Sequence, residues 1–302
     1  MTRATPIVLA PAAGDEPAVD DRTTAKEAGL LERLADLGSV LVAYSGGVDS
    51  AYLLWAAHRA LGERAVGVIG RSDTYARSEL EGALAEAGRI GAAVRVVSTA
   101  ELEDPRFRDN PPDRCYHCKS ELFGKLSALA AQEGFAAVLD GSNTDDRSDY
   151  RPGSRAGEEH RVLSPLIEAD LSKREIRALA RRAGLTVWDK PAMPCLSSRF
   201  PYGAKITSEK LAQVEEAEAW LRGRGFRECR VRHHGDVARV EVPLADLARL
   251  TTDPERERVV SALRALGFAY VTLDLTGFRS GSLNEVLSRR RALEPAPGKE
   301  TS

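Results

Sequence analysis

Two groups of residues in this sequence have types and spacing suited to chemistry. The first is Ser45-Gly46-Gly47-Val48-Asp49-Ser50. Adjacent glycines let backbone N–H groups converge where side chains would block a phosphate. A helix starting there adds the partial positive charge of its N-terminus. The hydroxyls of Ser45 and Ser50 can donate to phosphate oxygens, and Asp49 can hold Mg²⁺ or orient the loop. No Gly-Lys-Ser/Thr follows, so this is not a Walker A loop.

The second group is thiols. The four cysteines are Cys115, Cys118, Cys195 and Cys229. Two close together and two far apart make a poor disulfide framework, which points to a reducing cytoplasm. Cys115-Tyr116-His117-Cys118 has a spacing that serves zinc, an iron–sulfur cluster, a redox pair or plain packing. No second Cys-x-x-Cys completes a zinc site. Cys195 lies in a Pro-rich stretch, Pro191 to Pro201, and Arg199 beside it would lower a thiol pKa. Three thiolates could hold a [4Fe–4S] cluster and leave one iron open for an extra sulfide. Cys229, in an expected strand, reads as structural.

Around these lie candidate ligands for the rest of a substrate. Arg71-Ser72-Asp73 follows an expected strand and should face a nucleoside; Asp140-Gly141-Ser142-Asn143 follows another and should reach the same crevice. Arg199, Arg230, Arg232 and Arg279 are candidates for phosphate and carboxylates, because a planar guanidinium meets such anions bidentately. Arg230 and Arg232, at i and i+2 of a strand, share one face.

The elements that must position these residues follow from hydrophobic period. Helical spacing over 24–37 precedes a buried strand, 39–44, which runs into the Ser45 loop and a helix over 51–61. Strand 65–70, helix 76–90 and strand 94–98 complete a β-α-β-α-β order, the pattern of a doubly wound parallel sheet in an α/β fold. Residues 100–114 and 144–159 read as loops, 118–133 as a helix, and 136–139 as a short strand. Ser172 and Glu175 form a capping box opening a helix to 183. Beyond 203 a smaller α+β domain is expected: helix 208–222, strands 229–232 and 238–242 joined at His234-Gly235-Asp236, helices near 244–250 and 253–266, and a last strand, 269–275. The expected divisions are a loose leader, 1–24, a first domain, 25–203, a second, 204–290, and a loose tail, 291–302.

Composition agrees with a folded chain of 302 residues: 43% hydrophobic and 29% charged. With 43 Lys+Arg against 45 Asp+Glu the net charge is -2, so no global field draws nucleic acid. No apolar run approaches a membrane span, and the apolar piece at 7–10 is too short for a signal-peptide core.

The Ser45–Ser50 string resembles the loop of the PP-loop ATP pyrophosphatases, which implies cleavage of ATP between its α and β phosphates. Asn110-Pro111-Pro112-Asp113-Arg114-Cys115-Tyr116-His117-Cys118-Lys119, Pro194-Cys195-Leu196-Ser197-Ser198-Arg199 and Phe278-Arg279-Ser280-Gly281 are more specific. With the loop and Asp140-Gly141-Ser142-Asn143, they resemble the LarE family over about 30–290. That resemblance implies an ATP-dependent sulfur transferase acting on pyridinium-3,5-biscarboxylic acid mononucleotide. A carboxylate is adenylated, sulfur attacks the acyl-adenylate, AMP leaves, and two rounds give the bisthiocarboxylate of the nickel-pincer cofactor of lactate racemase. One branch takes sulfur from a cysteine at the Cys195 position, leaving dehydroalanine. Another holds a [4Fe–4S] cluster on three cysteines, and Cys115, Cys118 and Cys195 match that pattern. The expected cofactors are therefore ATP, Mg²⁺ at Asp49, and a [4Fe–4S] cluster. The expected partners are the small nucleotide substrate, other nickel-pincer biosynthesis proteins and further copies of the chain, up to a hexamer, with neither membrane nor nucleic acid. The rival readings are a PP-loop tRNA thiolation enzyme, an ammonia-using PP-loop amidotransferase or synthetase, and a non-enzymatic nucleotide-binding or sulfur-carrier protein.

Overall fold

The structure, a computed structural model, describes residues 19–148, 152–191, 193–279 and 281–284. The first eighteen residues of the expected leader, Ser280, residues 285–290 of the expected second domain and the expected tail lie outside the described residues. In chain order the strands and helices are α1 (Asp21–Leu37), β1 (Val40–Ala43), α2 (Val48–Leu61), β2 (Ala65–Arg71), α3 (Arg77–Ile90), β3 (Ala93–Ser98), α4 (Pro105–Arg108), α5 (Arg114–Glu133), β4 (Ala137–Leu139), α6 (Pro152–Glu159), α7 (Pro165–Glu168), α8 (Lys173–Arg182), α9 (Ser208–Gly223), β5 (Arg230–His234), β6 (Val237–Glu241), α10 (Leu247–Thr251), α11 (Glu255–Ala265) and β7 (Tyr270–Leu273).

These elements form two compact units. The first takes residues 19–70, Ser78–Ser98 and Lys119–Met193. Its sheet has the order β3-β2-β1-β4, with β1 parallel to both β2 and β4. Strands one to three step outward on one side of β1 and β4 joins on the other, so winding reverses at β1. Ligands of such α/β sheets lie at that switch point, beyond the carboxyl ends of the strands. Val40, Leu41 and Val42 are wholly buried, as strands covered on both faces require. Leu126 and Ala130 of α5 cluster with Leu41, Val66, Val68 and Val138. The fold is α/β, as the sequence predicts. The capping box is present in both directions: Ser172 accepts from the Glu175 N–H, and Glu175 from the Ser172 N–H. The first helix begins inside the expected leader, because Asp20 caps it by accepting from the Thr23 N–H at 2.7 Å.

The second unit takes Arg71–Arg77, Thr99–Cys118 and residues 194–284. Its sheet is β5-β6-β7: a β5/β6 hairpin turning at Gly235 (φ 65°), with β7 parallel to β6 after the α10–α11 crossover. The core includes Leu221, Phe226, Val231, Val240, Leu263 and Phe268. The division therefore differs from a single cut at 203/204. Two segments of the N-terminal half join this unit through backbone bonds, Leu196 N–H to Thr74 O, Gly203 N–H to Asn110 O and Ile206 N–H to Arg108 O, each 2.9 Å. Phe107 packs with Leu196, Phe200, Ile206, Leu211 and Val214.

Both expected loops contain helix. Pro105 opens α4 at its first position with Asp104 as cap, and Pro152 opens α6 likewise. The glycines that argued for a loop at 144–159 instead lie buried in α6, where a Cβ on Gly153 would meet Lys119 Cδ at 3.0 Å.

Candidate functional site

The phosphate-type loop lies between β1 and α2 in the first unit, as expected. Gly46 has φ 67°, and a Cβ there would stand 2.6 Å from Ala83 Cβ of α3. Gly47 is the N-cap of α2, with ordinary dihedrals, and a Cβ there would meet only Ser45 Oγ, at an ordinary contact distance of 3.6 Å. Ser50 shapes the loop from within: its Oγ accepts from the Ser45 N–H (3.1 Å), donates to Gly47 O (3.1 Å) and lies 3.1 Å from Ser45 Oγ. The first-turn N–H groups of a helix lack intrahelical acceptors, so this end of α2 offers donors to an anion.

Asp49, in the first turn of α2, pairs through Oδ2 with Lys173 Nζ, while its Oδ1 is buried with no hydrogen-bond partner. Burial pushes its carboxyl pKa up, against the pull of Lys173. Lys190 Nζ reaches Gly46 O (3.3 Å) and Glu79 (2.8 Å). Asp140 accepts from Ser142 Oγ (2.8 Å) and Ser164 Oγ (2.7 Å) and pairs with Lys119 at 3.7 Å. Asn143 holds the following turn, its Oδ1 accepting from the Asp145 N–H at 3.0 Å. Between them, a Cβ on Gly141 would come within 2.9 Å of Ser50 N, so the end of β4 abuts the start of α2. Lys119, Lys173 and Lys190 were not singled out from sequence. Lys173 directly follows the capping serine, the one local signal that fixes its place.

The thiols all belong to the second unit. Cys115 and Cys118 stand one turn apart at the start of α5, the former exposed and the latter half-buried beside the Leu196–Phe200 cluster. Cys195 is exposed, directly before a turn of 3₁₀ helix, Leu196–Arg199. Cys229 is buried, and burial pushes its thiol up to about 12, in keeping with a structural role. Ser72 is also in this unit; its hydroxyl and that of Thr74 meet Glu101 Oε1 at 2.5 and 2.9 Å.

Of the four arginines expected to meet phosphate and carboxylates, Arg199 and Arg232 are each held bidentately by a carboxylate of the chain. Arg199 is 1% exposed, held by Glu218 through Nε (2.8 Å) and Nη2 (2.9 Å), and its Nη1 donates to Pro194 O (2.7 Å), Cys195 O (3.2 Å) and Ser198 Oγ (2.9 Å). Burial opposes both charges of this pair, yet each holds the other ionised: Arg199 is raised and Glu218 lowered. Arg232 is bound bidentately by Glu241 (3.0 and 2.9 Å) and donates to Ser198 O at 2.8 Å. Arg199 and Arg232 thus fix the backbone around Cys195. Arg230 lies 5.0 Å over the Phe278 ring, and burial, then the charge of Arg199, brings it down to about 10. Arg279 donates to Gly277 O at 3.3 Å. Neither Glu218 nor Glu241 has a signal in the sequence, since each meets its arginine only through the fold.

No family model matches the chain. Over 265 residues, covering 87% of this chain and 95% of the relative, it is 43% identical to the pyridinium-3,5-bisthiocarboxylic acid mononucleotide synthase of Lactiplantibacillus plantarum. The chain belongs to the LarE family. It is also 45% identical over 260 residues to an uncharacterized protein of Synechocystis sp. (86% of this chain, 97% of that one). A further uncharacterized protein, from Methanocaldococcus jannaschii, is 28% identical over 241 residues (80% and 91%).

Two groups expected of this LarE-family chain can be tested against its residues. A hard cation fits Asp49, whose buried Oδ1 lacks a partner. For the cluster, the donor chemistry is present but the arrangement does not fit: among the described residues no three His, Cys, Asp or Glu side chains are grouped to hold a metal ion. Nor, among them, is any helix long and apolar enough to cross a membrane.

Proposed function

We propose that this chain is an ATP-dependent sulfur transferase that converts the carboxylates of pyridinium-3,5-biscarboxylic acid mononucleotide into thiocarboxylates. The reading rests on one observation above the rest: 43% identity, over nearly the whole folded chain, to a synthase of the bisthiocarboxylate. The geometry supports it. The loop at the start of α2, with Ser45, Gly46, Gly47, Asp49 and Ser50, receives the phosphates of ATP; Asp140 and Asn143, of the same unit, belong to this nucleotide site. A substrate carboxylate oxygen attacks the α-phosphorus and pyrophosphate leaves. Mg²⁺, held by Asp49, would neutralise the phosphate charge.

The thiolate of Cys195 attacks the acyl carbon, and AMP departs with the bonding electron pair. Loss of the cysteine's α-proton and cleavage of its Cβ–S bond then release the thiocarboxylate and leave dehydroalanine. Arg199 holds the bend by donating to Pro194 O and Cys195 O. Arg230 and Arg279 carry positive charge for the substrate's phosphate and second carboxylate, while Arg232, paired with Glu241, holds the bend at Ser198 O. The three-cysteine pattern of Cys115, Cys118 and Cys195 alone speaks for a [4Fe–4S] cluster; their arrangement does not fit one, and no step is routed through it. Cysteines that form no disulfide among the described residues support a reducing cytoplasm, and a homo-oligomer working beside other nickel-pincer biosynthesis proteins completes the proposal.

The test is incubation of purified protein with ATP, Mg²⁺ and the dicarboxylate. AMP and thiocarboxylate should form together. AMP formation without sulfur transfer, with ammonia giving an amide instead, would favour the amidotransferase reading.

A further inference from the structure

Asn110 and Arg114 belong to the stretch preceding the Cys-x-x-Cys pair. Asn110 is fully buried, at φ 56°, a left-handed conformation that asparagine tolerates better than other side-chain-bearing residues. All of its polar atoms are engaged. Its Nδ2 donates to Pro201 O (2.8 Å) and Phe200 O (3.3 Å), its backbone O accepts from the Gly203 N–H (2.9 Å), and its backbone N–H donates to Phe107 O (2.9 Å). Its remaining Oδ1 accepts from Arg114 Nη1 at 2.9 Å.

Arg114 is the first residue of α5, one before Cys115. It is 4% exposed, its guanidinium lies 5.2 Å over the Tyr202 ring, and its buried Nε has no hydrogen-bond partner. Among the described residues no carboxylate pairs with it. A buried guanidinium held by a neutral amide and an aromatic face, rather than by a carboxylate, is an expensive arrangement to keep for packing alone.

We infer that Asn110 and Arg114 form a positioning clamp, which fixes the first turn of α5, with Cys115 and Cys118, to the chain leaving the Cys195 bend. The amide is required because one side chain must both accept from Arg114 and donate to two carbonyls. Aspartate would fill the same space and bind Arg114 more tightly, but could not donate to Phe200 and Pro201. A purely structural role would register that difference in stability alone. The thiol chemistry would register it in rate, because misplacement of reacting groups by about 1 Å costs on the order of 100-fold.

The inference rests on the sulfur-transfer reading, and the experiment separates the two. Wild type, Asn110→Asp, Arg114→Ala and Arg114→Gln are each assayed for AMP and for thiocarboxylate, with melting temperature alongside. The quantity read is thiocarboxylate formed per AMP. Loss of folded protein lowers both products together and leaves this ratio unchanged. The clamp predicts a ratio at least tenfold lower in Asn110→Asp and Arg114→Ala, with AMP formation within about threefold of wild type, and recovery of the ratio in Arg114→Gln, which restores a donor to Asn110 Oδ1. A wild-type ratio in either Asn110→Asp or Arg114→Ala overturns the clamp. Should Asn110→Asp not fold, the two Arg114 variants decide alone. Absence of thiocarboxylate from the wild type itself would sink the functional reading instead.

Discussion

Lys173 pairs with one carboxylate oxygen of Asp49 and leaves the other, Oδ1, buried without a partner. This splits the carboxylate into an oxygen held by the protein and one presented for a cation. Burial raises the Asp49 pKa and Lys173 opposes the rise. The folded protein therefore holds this proton more tightly than a free carboxyl does, and the ionised form is lost as pH falls through the raised value. Lys173→Met removes the opposing charge, so the acid limb of AMP formation should move to higher pH. Asp49→Asn should lower AMP formation by about 100-fold or more. A pH–rate profile of Lys173→Met that overlays the wild type refutes the arrangement.

The two loop glycines make opposite predictions. Gly46→Ala meets both a left-handed backbone and Ala83 Cβ at 2.6 Å, so it should destabilise the fold by about 1–3 kcal/mol and displace the loop. A Cβ on Gly47 meets only Ser45 Oγ at 3.6 Å, so Gly47→Ala should melt like the wild type. If that backbone wraps phosphate closely, Gly47→Ala should nevertheless bind ATP at least tenfold more weakly by calorimetry. Tight nucleotide binding by Gly47→Ala would show that no phosphate passes there.

Glu175 is the second half of the capping box on α8 and the partner of Lys26 at 2.9 Å. Burial alone would raise its pKa, but Lys26 and Ser172 pull it down to about 2. A carboxyl lowered in the folded state stabilises fully above its usual value of 4.5 and loses that contribution as pH falls toward 2. Glu175→Gln should cost about 2 kcal/mol in urea unfolding at pH 7 and progressively less between about pH 4.5 and 2. An equal cost at pH 7 and pH 3 would assign the effect to packing. Because α8 begins at Lys173, the variant should also loosen the Lys173–Asp49 pair.

What the sequence displayed and what it hid divide along contact distance. The phosphate loop, the capping box and the hairpin at Gly235 are set by residues within a few positions of one another, and all three were legible. The helix over Pro152–Glu159 was not, because its glycines matter only against Lys119, a neighbour supplied by the fold. Arg199 announced itself by its nearness to Cys195, but its partner Glu218 lies nineteen residues on, across a helix. Without Glu218 the guanidinium reads as an open anion site; with it, the same group fastens the backbone of the bend. The insertion of Arg71–Arg77 and Thr99–Cys118 into the second unit was equally hidden, since nothing in either segment's own residues names the unit it joins.

That fastening makes Cys195 the decisive residue. Its thiol is exposed while the backbone beneath it is held by Arg199, so serine should replace it without disturbing the fold. Cys195→Ser should retain AMP formation and lose thiocarboxylate. In the wild type, intact-protein mass spectrometry after turnover then separates two sulfur sources. Loss of one H₂S from the peptide carrying Cys195 marks this thiol as the donor. An unchanged mass, with iron and acid-labile sulfide in anaerobic protein that fall in Cys115→Ser and Cys118→Ser, marks a cluster-bound sulfide. Sustained thiocarboxylate formation by Cys195→Ser would exclude both, and with them the bend as the site of sulfur transfer.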